Sequence, residues 1–428
     1  MKYDDLMKKI HDYVYSNKEF FQKFFTDYLS HDSTNPDLDL PEKRSDCHAW
    51  VADQLKELNV FDSVDYWEIG DHYSNLVAVK KGIEKEPILF CGHTDTVPVT
   101  DTQKNEWRKD AGPWSGAIAE GKFYGRGAND MKSGNASSLM AVKVLSDLGY
   151  PIFRDTFFGF VMTEESGNRK YGVDSIVERG YAAKSAVVME PTNMKIVPAI
   201  QGEFYFKITI KGKSSHIASR HLSIYPQGFG VDELPGVNAI DLMQDLLLEI
   251  KHLEKQLGLF ANHALMQPGA TTINISGIES KGIFSALAEE CSVVGSMIYC
   301  PSMSHEEATA EFRNAITRVT ERNHWLRKHP PVVELPYFLS EKPPVNIPTD
   351  HWLCKRFEKS VSRTNVPVVY DSMISTSDGN YLADHGMDVI TFGPGASYMG
   401  MHGTNEYVPV KDYLDAIVIY AGVLAHCD

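Results

Sequence analysis

The sequence predicts an α/β protein in which a main domain, a mixed sheet with helices on both faces, is interrupted by an inserted ferredoxin-like α+β domain. Short apolar runs alternate with amphipathic stretches at both ends of the chain, as in a sheet that helices cover on both faces. Between these ends, the segments follow a β-α-β-β-α-β order. The predicted division is residues 1–202 and 341–428 for the main domain and residues 203–340 for the inserted domain.

The period of the apolar residues predicts each element in turn. The first part of the chain is predicted to contain amphipathic helices over 4–30 and 44–59, strands 75–81 and 87–91, helix 131–148, strand 156–162, helix 173–179 and strand 185–189. The inserted part is predicted as strand 203–211, helix 237–257, strands 269–278 and 291–300, helix 305–319 and strand 331–337. The α/β pattern then resumes with helix 350–361, strand 389–392 and helix 412–425.

Composition excludes several classes of partner. The chain has 57 acidic and 42 basic side chains and a net charge of −15, which argues against nucleic acid because phosphate binding needs a basic surface. Its six cysteines form no C-x-x-C pair, which indicates reduced and mostly buried thiols. The N-terminus resembles no secretion signal, and no apolar run approaches the roughly 18 residues of a membrane span. We expect a soluble, cytoplasmic protein with a small-molecule substrate.

Polar side chains follow three of the predicted strands. His93 and Asp95 follow the first buried strand, Glu164 and Glu165 follow the second, and Glu190 follows the third. Because ligands bind at the carboxyl ends of strands in open α/β sheets, these side chains are expected to converge.

Two loops add further donors. A glycine-rich loop over residues 124–134 brings Asp130 to the start of a helix, and a loop over residues 401–407 contains His402. Each feature alone is typical of an ordinary loop or a helix terminus, and the glycine-rich loop lacks the third glycine of a nucleotide-binding motif. Their combination favours a metal site.

The donor types indicate which metal such a site would bind. Imidazole and carboxylate ligands without thiolate suit zinc, and also cobalt or manganese. Two divalent ions need a shared carboxylate, for which Asp130 is the best candidate. One ion would then bind His93 and Glu190, and the other would bind Glu165 and His402.

Two side chains remain for catalysis. Asp95 is expected to accept a hydrogen bond from the second ring nitrogen of His93 and so fix its tautomer. Glu164 is expected to act as the general base, taking a proton from a metal-bridging water that attacks an amide carbonyl and later passing it to the leaving amine.

Five stretches match one family in order along the chain: His93-Thr-Asp95-Thr-Val-Pro, Gly125-Arg-Gly-Ala-Asn-Asp130-Met-Lys-Ser-Gly, Thr163-Glu-Glu165, Met189-Glu-Pro-Thr192 and Met401-His-Gly-Thr-Asn-Glu406. On these motifs the whole chain resembles the co-catalytic zinc hydrolases that include acetylornithine deacetylase, succinyl-diaminopimelate desuccinylase, aminoacylase and carboxypeptidase G. The resemblance implies hydrolysis of a linear amide, either an N-acyl amino acid or a short peptide. It also implies that the inserted domain is a lid and forms a homodimer.

The resemblance extends to residues outside the metal site. It implies that His216 reaches the site of a partner subunit to stabilise the oxyanion, that Asn274 contacts substrate, and that the loop containing Gly395 lies near the substrate. The alternatives are a surface histidine, an ordinary strand residue and a simple turn.

The sequence departs from the family where substrate would bind. Members that bind a substrate carboxylate usually have an arginine three residues before a proline in the third lid strand, whereas this chain has Ile298 before Pro301. The segment from His216 to Asn238 is also longer than usual, and its Arg220 is a candidate replacement for the lost cation or a solvent-exposed loop residue.

Two other functions therefore stay open. One is hydrolysis of another C–N bond, such as that of an aryl amine or a formamide. The absence of the arginine favours this alternative, because such a substrate needs no partner for a carboxylate. The other is a non-catalytic metal-binding dimer, which the presence of Glu164 argues against.

Overall fold

A computed structural model describes residues 2–39, 44–225 and 230–426. The chain divides into two compact units. The first unit comprises Met1–Ala199 and Val345–Asp428, and the second comprises Ile200–Pro344.

Helices and strands occur throughout the described part of the chain. The N-terminal part contains α1 (Tyr3–Ser16), α2 (Lys18–Leu29), α3 (Cys47–Leu58), β1 (Ser63–Ile69), β2 (Tyr73–Lys80), β3 (Glu84–His93), α4 (Asp101–Glu106), β4 (Ile118–Ala119), β5 (Lys122–Tyr124), α5 (Lys132–Asp147), β6 (Arg154–Val161), α6 (Val173–Glu178), β7 (Ser185–Val188) and β8 (Ile196–Ile200). The second unit contains β9 (Gly202–Lys211), α7 (Arg220–Ile224), α8 (Ala239–Phe260), β10 (Thr272–Lys281), β11 (Glu290–Tyr299), α9 (His305–Arg322), α10 (His324–Lys328) and β12 (Val332–Glu334). The C-terminal part contains β13 (Val345–Asn346), α11 (Trp352–Val361), β14 (Tyr370–Met373), α12 (Asp378–Asp384), β15 (Asp388–Thr391), β16 (Tyr407–Pro409) and α13 (Val410–Leu424).

The first unit is built on a mixed sheet. Its main path runs β1-β2-β6-β3-β7-β15-β8-β13, and β14 pairs with β8. Strands β6, β3, β7 and β15 are parallel neighbours, whereas β1 and β2 pair antiparallel. The carboxyl ends of the four parallel strands therefore lie along one edge of the sheet.

Successive residues of β2 point to opposite faces of this sheet, as strand geometry requires. Leu76 and Ala78 belong to the large core that the helices α1, α2, α3, α5, α11 and α13 cover. Val77 instead packs with Val161 and with Ile176 of α6. Both faces of the sheet are buried, which confirms the predicted α/β class.

The second unit is a four-stranded antiparallel sheet in the order β10-β11-β9-β12. Every second residue of β9 faces the same side of this sheet and packs against α8 and α9, as Phe204, Phe206 and Ile208 do. This strand order, with a β-α-β-β-α-β chain order, is the predicted ferredoxin-like arrangement. Several predicted boundaries differ from the observed ones, and two of these differences have a clear physical cause. The strand predicted over 331–337 extends only from Val332 to Glu334, because Pro336 has no N–H to continue the ladder.

The other of these two differences concerns the first predicted helical stretch, residues 4–30, which consists of α1 and α2 separated at Asn17. Both the backbone N–H and the side-chain amide of Asn17 donate to the carbonyl oxygen of Tyr13, at 3.0 and 2.8 Å, and this capping ends α1.

Five of the six cysteines are free and buried, as predicted: Cys47, Cys91, Cys291, Cys300 and Cys354. The sixth, Cys427, lies outside the described residues, as do residues 226–229 of the extended segment after His216. Within the described part of the chain, no helix has both the length and the apolar character that a membrane span needs.

His48 of α3 is a buried histidine whose protonation would oppose folding. Its Nδ1 donates to the carbonyl oxygen of Ser74 at 2.9 Å, while its Nε2 has no hydrogen-bond partner among the described residues. Burial lowers the pKa of His48 from 6.5 to about 3, and the bond to Ser74 only partly opposes this.

We predict that His48 makes the fold less stable below pH 6.5, because the unfolded chain then binds a proton that the folded chain excludes until about pH 3. The free energy of unfolding should fall by up to about 1.4 kcal/mol per pH unit from this residue. His48→Asn keeps a donor for Ser74 and should remove this part of the slope in urea unfolding between pH 7.5 and 5.0. The exposed His11→Asn is the control, and an unchanged slope in His48→Asn would contradict the prediction.

Candidate metal centre

Three neighbouring parallel strands bring the predicted donors together at one sheet edge. His93 ends β3 and lies beside Val161, the last residue of β6, while Cys91 lies beside Val188, the last residue of β7. Glu164 and Glu165 follow β6 within a few residues, and Glu190 follows β7. The convergence expected from the sequence is therefore present in the first unit.

His93 is almost completely buried, with 1% of its side chain exposed. Its Nδ1 donates to the backbone carbonyl oxygen of Asp95 at 2.8 Å. Its Nε2 lies 3.0 Å from Asp130 Oδ1 and 3.5 Å from Glu190 Oε1. Because the ring proton of neutral His93 is then on Nδ1, the Nε2 lone pair faces carboxylate oxygens, an arrangement that needs a proton or a cation between them.

Asp130 lies between the two histidines. While its Oδ1 faces His93, its Oδ2 lies 3.2 Å from His402 Nε2, and His402 Nε2 is also 3.2 Å from Glu165 Oε2. One carboxylate thus presents a different oxygen to each imidazole, with Glu190 on one side and Glu165 on the other. This is the arrangement that a shared ligand between two cations requires.

The pKa values reflect how closely these buried carboxylates and imidazoles are packed. Burial raises the pKa of Glu165 to about 7, and burial likewise holds the pKa of Glu190 well above its usual value. For Asp130, hydrogen bonds from His402 and His93 outweigh the larger burial effect and lower its pKa. Hydrogen bonds to Asp130 and Glu165 raise the pKa of His402 to about 10. Burial thus opposes the ionisation of Glu165 and Glu190, and bound cations would favour their anionic forms.

The donors fit divalent metal ions. Nitrogen and oxygen atoms of His93, Asp130 and Glu165 lie within 4.8 Å of one another, and so do those of His93, Glu164 and Glu190. Both sets consist of imidazole and carboxylate without thiolate, which suits zinc, cobalt or manganese.

Asp95 accepts the predicted hydrogen bond from His93, but with its main chain. The carbonyl oxygen of Asp95, not its carboxylate, accepts the hydrogen bond from His93, whose Nδ1 is 3.6 Å from Asp95 Oδ1. The carboxylate instead accepts the backbone N–H groups of Glu164 at 3.3 Å and Glu165 at 3.1 Å, and the side-chain amide of Asn35 at 2.6 Å. Asp95 therefore fixes the turn that presents Glu164 and Glu165, and burial raises its pKa to about 6.

Some of the predicted site residues belong to the second unit. His216, Arg220 and Asn274 belong to the second unit, where His216 and Asn274 are exposed. Arg220 forms an ion pair with Asp241 of α8 at 2.7 Å.

Gly395 lies in the first unit in a left-handed conformation with φ +82°. A Cβ at this position would approach Asn129 Oδ1 to 2.1 Å, so only glycine fits here.

Sequence reasoning missed several residues that hold the donors. Asn135 of α5 donates to the carbonyl oxygen of His93 at 2.6 Å, and a Cβ on Gly92 would approach Asn135 Oδ1 to 2.1 Å. Arg126 and Glu406 form a buried ion pair at 2.7 Å. Arg126, Asn135 and Glu406 lie in or beside the matched motifs, but no spacing rule shows which motif residues bind a metal and which support those that do.

Proteins of known activity resemble this chain over most of its length. An N-formyl-4-amino-5-aminomethyl-2-methylpyrimidine deformylase of Bacillus subtilis is 26% identical over 379 residues, which cover 86% of this chain and 85% of that protein. An acetylornithine deacetylase of Myxococcus xanthus is 25% identical over 416 residues, covering 94% of this chain and 96% of that protein.

A solved structure shares the fold. The aminopeptidase PepT of Bacillus cereus superposes with a TM-score of 0.70 at 17% identity, covering 95% of this chain and 98% of the other. The model of Peptidase family M20/M25/M40 matches residues 89–426, which contain all the donors described above. The chain therefore belongs to Peptidase family M20/M25/M40 and is a metallohydrolase that acts on amide C–N bonds.

Proposed function

We propose that this chain hydrolyses a small N-acyl amide, with two divalent ions held by His93, Asp130, Glu165, Glu190 and His402 and with Glu164 as the general base. The observation that carries this proposal is the position of Asp130 between the imidazoles of His93 and His402. Zinc is the proposed metal, with cobalt and manganese as alternatives. Bound there, the ions would supply Lewis acidity, which acidifies water and stabilises negative charge on the carbonyl oxygen.

Glu164 is suited to proton transfer. A carboxylate oxygen of Glu164 lies within 4.8 Å of donor atoms of His93 and Glu190. Within the described part of the chain, no hydrogen bond or ion pair engages this carboxylate, while Asp95 holds its backbone N–H. Glu164 would take a proton from the attacking water and deliver it to the amine nitrogen as the C–N bond breaks. The net reaction converts an amide and one water into a carboxylic acid and an amine.

We predict that Glu164→Gln keeps its metal but loses turnover, because the amide cannot accept the proton of the attacking water. The value of kcat should fall about 10²- to 10⁴-fold. Metal content from elemental analysis and the melting temperature should match those of the unmodified protein. The exposed Glu178→Gln serves as the control, and full activity of metal-loaded Glu164→Gln would remove Glu164 from this role.

The amine product is proposed to lack a carboxylate. Ile298 of β11 occupies the position where family members that bind a substrate carboxylate usually have arginine, and the guanidinium of Arg220 is paired with Asp241. Two relatives are named as deformylases of an N-formyl aminopyrimidine, one from Bacillus subtilis and one from Halalkalibacterium halodurans that is 28% identical over 361 residues. These observations favour a formamide of a neutral or aromatic amine over an N-acyl amino acid or a peptide.

This preference predicts the outcome of a substrate panel. Metal-loaded protein should hydrolyse N-formyl aminopyrimidines with a kcat/KM at least about 10-fold above that for N-formyl and N-acetyl amino acids, which would lack a charged partner for their carboxylate. Faster turnover of acetylated amino acids or dipeptides would instead support the deacylase or peptidase alternative.

The second unit is proposed to form a homodimer in which His216 acts on the partner's site. His216 is exposed, and its Nδ1 accepts the backbone N–H of Ala218 at 3.2 Å, which leaves the proton of a neutral ring on Nε2 as a donor. Beside it, Ile217 pairs with the loop that contains the exposed side chains of Ile283 and Phe284. Exposed apolar side chains of this kind are common at interfaces between subunits.

We predict that two inactive variants complement each other. His216→Ala and Glu164→Gln should each lose most turnover as homodimers. After the two are mixed and allowed to exchange subunits, about a quarter of the normal activity should return, because each mixed dimer contains one complete site. The double variant mixed with the unmodified protein is the control. If the mixture stays inactive although mass spectrometry detects mixed dimers, His216 does not act across subunits.

A further inference from the structure

A buried carboxylate joins the two loops that contain Asp130 and His402. Glu406 Oε1 accepts the backbone N–H groups of Asn129 at 2.9 Å and Asp130 at 3.1 Å. Glu406 Oε2 accepts Nη1 of Arg126 at 2.7 Å. One side chain therefore binds the main chain that leads into Asp130 and a guanidinium from the same glycine-rich loop.

The guanidinium extends this link to the second loop. Arg126 Nη2 donates to the carbonyl oxygen of His402 at 3.3 Å. The two loops are also joined through the main chain, because the backbone N–H of Gly125 donates to the carbonyl oxygen of Glu406 at 3.1 Å. Asp130 and His402 are thus each one hydrogen bond away from the same ion pair.

His402 depends on such a link more than the other donors do. Its side chain is 51% exposed, whereas those of Asp130 and Glu165 are 9% and 6% exposed. Its backbone has φ +58°, a left-handed conformation that a non-glycine residue keeps only when its surroundings hold it. The contacts that hold its carbonyl oxygen are Arg126 and the side-chain amide of Gln103 at 3.1 Å.

Burial of this ion pair carries a large desolvation free energy. Arg126 and Glu406 have side chains that are 1% exposed, and Arg126 Nε has no hydrogen-bond partner among the described residues. An ion pair in such surroundings recovers little of the free energy lost when both charges leave water. Apolar packing would join two loops without burying charge. The buried ion pair is therefore better explained by the fixed geometry of a carboxylate whose two oxygens bind different partners, the main chain before Asp130 and the guanidinium of Arg126.

We propose that Arg126 and Glu406 are positioning residues that set the distance between Asp130 and His402 and so hold both in place for the metal ions. This inference rests on the proposed metal centre. It predicts that loss of the pair weakens most the ion that Asp130, Glu165 and His402 would bind, because the pair positions two of these ligands, and weakens less the ion that His93, Glu190 and Asp130 would bind, because the pair positions only one of them.

The test measures metal binding as well as activity. Glu406→Gln keeps the size of the side chain but places an NH₂ group against N–H groups that need an acceptor. Arg126→Lys keeps the positive charge but cannot reach Glu406 and the carbonyl oxygen of His402 with two separate NH₂ groups. In zinc titrations with a competing chelator, each variant should weaken one of two bound ions about 10- to 100-fold and weaken the other less. The value of kcat should fall with KM little altered. Glu406→Asp, which keeps the charge, should recover part of the affinity.

Asp415→Asn is the matched control. Asp415 of α13 is also a buried carboxylate, which binds Lys411 and the hydroxyl group of Tyr15, and it has no contact with the metal centre. This variant should lower the melting temperature of the metal-free protein without changing the affinity for either ion. His402→Ala gives the affinity expected when the ligand is lost altogether.

The outcomes separate the two proposals. If Glu406→Gln and Arg126→Lys lower only the melting temperature, as Asp415→Asn does, the pair is structural and the inference is overturned. If Glu406→Gln does not fold, Arg126→Lys and Glu406→Asp still decide the result by the same titration. If the unmodified protein binds no zinc, cobalt or manganese, the proposed function is overturned, and with it the inference that rests on it.

Discussion

The carboxylate of Asp130 between two imidazole rings is the contact on which the site depends. Its two oxygens face His93 and His402, which lie more than three hundred residues apart in the chain. Around them, Glu164, Glu165 and Glu190 add further carboxylate groups within a few ångströms of the two imidazoles. The folded chain therefore places strong ligands at short distances and leaves their electrostatic repulsion to be relieved by bound cations.

The sheet supplies most of this geometry. Because β6, β3 and β7 are parallel neighbours, residues that follow them arrive at one edge without long loops. His93 is further fixed at both ends: Asn135 holds its carbonyl oxygen, and the carbonyl oxygen of Asp95 holds its Nδ1. His402, by contrast, comes from a loop and is half exposed, so its position depends on hydrogen bonds to its main chain.

Much of this could be predicted from the sequence, for a physical reason. The period of apolar residues distinguishes strands from helices, and the strand-end rule then shows where polar residues meet, as with His93, Glu165 and Glu190. The sequence predicts that Asp95 accepts the hydrogen bond from His93, but not which of its oxygens does so. The carbonyl and the carboxylate belong to the same residue, and only the backbone torsions decide between them. The supporting role of Glu406 was equally hidden, since its partners at 126, 129 and 130 are far away in the chain.

The contacts of Asp95 divide two tasks between the two halves of one amino acid. Its main chain selects the tautomer of His93, and its side chain orders the turn before Glu165. Every amino acid has a carbonyl group, so replacing the side chain at position 95 removes the second task and leaves the first in place.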